Sequence, residues 1–98
     1  MAIDLDHMLM SIDAGIRQGF PRLSLALLSR GLERWHPKTE AEMALGLALE
    51  AFLADPKGDV TALRETYLDV MVQEGFDRAE TTAHIDTPFT LAECPDLW

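Results

Sequence analysis

From Thr39 to Ala54 the chain reads TEAEMALGLALEAFLA, and past the opening turn its only charged residue is Glu50. Thr39-Glu40-Ala41-Glu42 is a capping box, in which the Thr hydroxyl and the Glu carboxylate each serve an otherwise orphan backbone N–H. The helix it opens carries Met43, Leu45, Leu47, Leu49, Phe52 and Leu53 among five alanines. Glu42, Gly46 and Glu50 fall at four-residue steps, so the sequence predicts one narrow polar stripe and an apolar surface elsewhere. A helix of that kind is buried on most sides, either centrally in its own domain or partly by a second subunit. The rest of the chain has to provide the cover.

Three further helices are expected to do so. Around 4–18, Leu5, Met8, Leu9, Ile12 and Ile16 repeat at helical spacing, with Asp4 and Asp6 at the positive end of the dipole and Gly19 as the stop. Pro21 suits the first turn of a second helix over about 21–35, where its missing N–H is harmless. His36-Pro37 ends that helix, because the residue before proline is pushed out of α geometry. Asp55-Pro56-Lys57-Gly58 reads as a tight turn. Asp59 can then cap a helix over about 60–74, whose apolar face is Val60, Leu63, Tyr67, Val70 and Met71. Gly75 fits a left-handed C′ position with Phe76 folding back on Met71, and Asp77-Arg78-Ala79-Glu80 starts one more short turn. The connections are short, which favours antiparallel neighbours. The fold class expected is therefore all-α: a small antiparallel bundle of four helices, about 4–18, 21–35, 40–54 and 60–74. Residues 1–83 would form the helical domain, and 84–98 an irregular tail packed on the domain or on a partner.

The chain's 98 residues are one domain's worth. Aromatics are only 7 %, so the core has to be built mainly from Leu, Met and Ala. A single cysteine, Cys94, rules out an intrachain disulfide and a four-cysteine zinc site. The acidic start lacks the basic region of a signal peptide, and no apolar run is long enough to span a bilayer. A reducing, cytoplasmic setting is the expectation.

Charge is unevenly spread. Residues 1–38 hold five basic and four acidic side chains, whereas 39–98 hold three basic and thirteen acidic ones, and the net charge is −9. Such a surface repels nucleic acid and anionic membranes and favours basic protein surfaces. It also keeps a protein soluble, whatever the partner.

Catalytic patterns are missing. His7, His36 and His84 are too far apart in sequence to make a helical metal pair. Cys94 sits between Glu93 and Pro95 near Asp96, and these acids raise a thiol pKa and oppose reactivity. The six glycines are dispersed, so there is no phosphate-binding loop. Arg22, Arg30 and Arg34 share one helix without the interleaved aromatics of a nucleic-acid surface. No catalytic, metal or cofactor-binding residue is assigned.

The expected function is a non-catalytic protein–protein interaction module: an adaptor, a chaperone-like binder or a small inhibitor of a larger protein. The residues expected at the partner are Leu45, Leu49 and Phe52 on the apolar helix, with Phe89, Leu97 and Trp98 in the tail. The partner expected is a protein with a basic surface, and a symmetric homodimer is another way to bury the excess apolar area. One alternative is an acidic nucleic-acid mimic that blocks a DNA- or RNA-binding enzyme. A second is an accessory subunit of an enzyme complex.

Overall fold

The computed structural model describes residues 5–20 and 22–87. Asp4 and Pro21, and Phe89, Leu91, Cys94, Leu97 and Trp98 of the expected tail, lie outside them. The described residues form five helices and no strand: α1 Leu5–Gln18, α2 Arg22–Arg34, α3 Glu40–Ala54, α4 Thr61–Gln73 and α5 Arg78–Asp86. The first four match the sequence reading to within a residue at each end. The fifth corrects it, because the turn opened by Asp77 runs on as a nine-residue helix through His84 to Asp86, into the region expected to be irregular.

Helix α5 has little amphipathic pattern, and two β-branched residues, Thr81 and Thr82, weaken its intrinsic preference. A capped start supports it instead. Asp77 Oδ2 accepts from the Glu80 N–H at 2.9 Å, which is an N-cap. The hydroxyls of Thr81 and Thr82 donate to the carbonyls of Asp77 and Arg78, both at 2.8 Å. Thr81 and Ile85, one turn apart, are its buried residues.

By internal contacts the chain divides into two compact units. The first takes the described residues up to Trp35 together with Ala83–Thr87, and the second is His36–Thr82; the division falls within α5. In the first unit α1 packs against α2, with Met8, Leu9, Ile12, Leu28, Trp35 and Ile85 buried. Helix α1 closes with Gly19 in the left-handed region at φ 83°, and the Phe20 N–H reaches back to the Gly15 carbonyl at 2.9 Å. Phe20 itself stands at φ 53°, a strained setting for a side chain of its size. Its ring lies over Gly15, where a side chain would have no room. That close approach was not visible in the spacing of apolar residues.

In the second unit α3 packs against α4, and the buried side chains are Leu45, Leu49, Phe52, Leu63, Tyr67, Leu68 and Val70. The Asp55–Gly58 turn closes as expected, with the Gly58 N–H on the Asp55 carbonyl at 3.0 Å. Asp59 Oδ1 accepts from the Thr61 N–H at 2.9 Å, and Val60 already has helical angles, so Asp59 does the capping work for α4. The Thr61 hydroxyl and N–H hold the Asp59 carboxyl below its usual pKa. At the far end Gly75 has φ 99°, with the Phe76 N–H on the Met71 carbonyl and the Gly75 N–H on the Val72 carbonyl, both at 3.0 Å. That pair of bonds is a complete Schellman motif.

Thr39 joins the two helices. Its Oγ1 accepts from the Glu42 N–H at 3.1 Å and lies 3.2 Å from Glu42 Oε2. It also lies 3.1 Å from Gln73 Oε1. A hydroxyl has one proton, so it cannot donate to both oxygens; turning the Gln73 amide over lets its NH₂ donate to Thr39 instead. The start of α3 is thereby tied to the end of α4, and the two run antiparallel. Thr39→Ala is expected to destabilise the chain by about 1 kcal/mol, with Thr39→Ser close to wild type. Urea unfolding followed by circular dichroism tests this, and an unchanged midpoint for the alanine variant would remove the cap from the account.

Candidate protein-docking face

Helix α3 divides lengthwise into two unlike faces. Inward lie Leu45 and Leu49, each with 0 % exposure, and Phe52, at the i, i+4, i+7 spacing of a core stripe. Glu42 and Gly46 are buried on the same side. The stripe expected to be the wet side thus turns mostly inward, and only Glu50 of its three members is exposed. Glu42 bends to Thr39, which itself meets Gln73 of α4, and the residue as a whole is left only 6 % exposed.

Outward lie Met43, Leu47, Ala51 and Ala54, with Ala44 beside them, all exposed. Leu47 is 68 % exposed and Met43 50 %, one turn apart on one ridge. Glu40 and Glu50 are the exposed charges on this helix, and α3 carries no basic residue. Lys38 and Lys57 lie beyond its two ends. Expected partner residues Leu45, Leu49 and Phe52 are therefore taken up by the unit's own interior, and Met43 and Leu47 occupy the open face. Residue size was the available signal, since the stripe with the aromatic and the paired leucines goes inward while the one interrupted by alanines stays out. Phe89, Leu97 and Trp98 lie outside the described residues.

The electrostatic setting is acidic. Residues 36–82 hold four basic and ten acidic side chains, a net −6. One of the four, Arg78, is committed: its guanidinium pairs with Asp69 at 2.9 Å and with Glu65. Its pKa is raised above the usual arginine value, chiefly by the Asp69 hydrogen bond, against some desolvation and with help from Glu65.

Among the described residues no group of three or more His, Cys, Asp or Glu side chains is placed to hold a metal ion. His84 Nε2 lies 3.1 Å from Asp13 Oδ2, which Arg17 approaches at 3.8 Å. Arg17 Nε also donates to the Thr87 carbonyl at 3.1 Å, so this cluster fastens the end of α5 to α1. Cys94 lies outside the described residues. No helix among the described residues is long and apolar enough to cross a membrane. In comparisons with known proteins the chain matches no family model, no curated protein and no solved structure.

Proposed function

We propose that this chain is a non-catalytic protein-interaction module whose docking surface is the outer face of α3. The observation that carries the reading is the exposure of Leu47, 68 %, and Met43, 50 %, on adjacent turns of a helix with few charges. Single exposed apolar residues are ordinary on protein surfaces, and Val72, Met10 and Phe76 are read that way. A ridge of them rimmed by polar groups is the usual mark of an interaction site. The acidic nucleic-acid mimic has less support, because Arg78 occupies two of the exposed carboxylates and the most distinctive face is apolar.

Site-specific crosslinking in the native host tests the reading. A photoreactive phenylalanine derivative at position 47 is expected to give discrete protein adducts, and the same group at position 72 is not. Folded protein without adducts at position 47 would overturn the proposal.

A further inference from the structure

We infer that the outer face of α3 receives an amphipathic helix with a basic flank, supplied by another protein. The inference rests on the docking face proposed above and adds the chemistry of its occupant.

The shape of the face selects a helix. Met43, Leu47 and Ala51 form an i, i+4, i+8 ridge, and the exposed residues beside it, Ala44 and Ala54, have small side chains. A ridge of this kind is what a second helix packs against, and small residues let the two axes approach closely. A partner strand has nothing to pair with, because the described residues contain no sheet edge and the backbone of α3 is bonded within its own helix. From Met43 to Ala54 the face is about 17 Å long at 1.5 Å per residue, which fits a partner of about three turns.

Charge selects the kind of helix. Glu40 and Glu50 are the exposed charges of α3, and the unit around them is at −6. Lysine or arginine flanking an apolar stripe meets these carboxylates and is drawn in by the wider field. A second copy of this chain meets the opposite condition, since it presents the same two glutamates and adds another −9. One helix face is also small against the ~800 Å² per partner of a standard dimer interface. The segment 88–98, which adds Glu93 and Asp96 and no basic residue, is disfavoured on the same grounds.

The test uses the full chain and a labelled peptide of about eighteen residues, built from Leu, Ala and Lys with leucines at helical spacing. A counterpart with Glu in place of Lys is the control. Fluorescence anisotropy is expected to show saturable, micromolar binding of the basic peptide, weakening as salt rises from about 50 to 500 mM, and no binding of the acidic one. Leu47→Asp separates shape from charge. It adds a negative charge, so attraction by charge alone would tighten the complex, whereas loss of the apolar ridge loosens it by about tenfold or more. Leu47→Ala is expected to weaken binding without any change of charge. Glu40→Gln with Glu50→Gln should weaken it by about threefold to tenfold, and Val72→Asp should leave it within about twofold.

Basic-peptide binding that survives Leu47→Asp would overturn the inference, as would equal binding of the acidic peptide or no binding by the full chain. Light scattering that finds a wild-type dimer and a Leu47→Asp monomer would assign the face to a second copy and overturn it too. Adducts at position 47 without peptide binding would leave the docking face standing and remove the basic helix. Absence of both would remove the two together.

Discussion

Leu49→Ala is expected to destabilise the α3–α4 unit by about 2–5 kcal/mol, while Leu47→Ala, two residues away, should change stability by no more than about 0.5 kcal/mol. The side chains are identical and the helix is the same; only the face differs. Leu49 is fully enclosed, so truncation loses its transfer free energy and leaves a cavity that the neighbouring Leu45 and Phe52 can fill only in part. Leu47 loses little, because most of its surface is in water before and after. Urea titrations of the two variants, with the slope held common, give the comparison directly. Equal destabilisation would mean that the outer face of α3 is covered in the folded chain, and it would take the docking proposal with it.

Gly15→Ala is the second large effect, and its sign runs against the simplest expectation. Replacing glycine by alanine inside a helix ordinarily gains up to about 1 kcal/mol. Here the added Cβ would stand 2.3 Å from Phe20 Cε1 and 2.6 Å from Phe20 Cδ1. The Phe20 N–H is bonded to the Gly15 carbonyl and its backbone is held at a positive φ, so the ring has to rotate out of its place over Gly15 to make room. Overpacking of this kind costs about 1–3 kcal/mol, and disrupting the end of α1 adds to it, so a net loss of about 2 kcal/mol is expected. Thermal melts of a double-mutant cycle make the cause specific. In a Phe20→Ala background the same glycine substitution should become neutral or stabilising. A single Gly15→Ala variant that melts higher than wild type would show that the ring does not sit against this residue.

Much of the helical layout could be read from punctuation. Thr39, the Asp55–Gly58 turn, Asp59, Gly19 and Gly75 each impose a local geometry that only a helix end or a turn satisfies, and each is found in that role, while the Glu42 carboxylate meets the Thr39 hydroxyl where the capping box calls for the backbone N–H. Helix α5 was underestimated because it rests on the Asp77 cap and on only two buried residues, Thr81 and Ile85, which leave no apolar period to count. The faces of α3 were misjudged for a related reason. Periodicity reports which residues share a side, but on a helix apolar all round it does not say which side is covered. Glu42 goes with that choice, a charged residue bonded to the Thr39 hydroxyl, which in turn meets the Gln73 amide 34 positions further along the chain. The expected partner residues on α3 met the same ambiguity: Leu45, Leu49 and Phe52 turn inward, and Met43 and Leu47 are the ones left exposed.

The way the two units divide the chain has a consequence for biosynthesis. Residues 36–82 are continuous, whereas the unit containing α1 and α2 also needs Ile85 and the Thr87 carbonyl, which arrive after the whole of the other unit. A chain elongating from its N-terminus therefore possesses every residue of the second unit before it can complete the first. Until then α1 and α2 wait without Ile85, and Asp13 and Arg17 without His84 and the Thr87 carbonyl. The segment made first therefore belongs to the unit whose described residues are completed last.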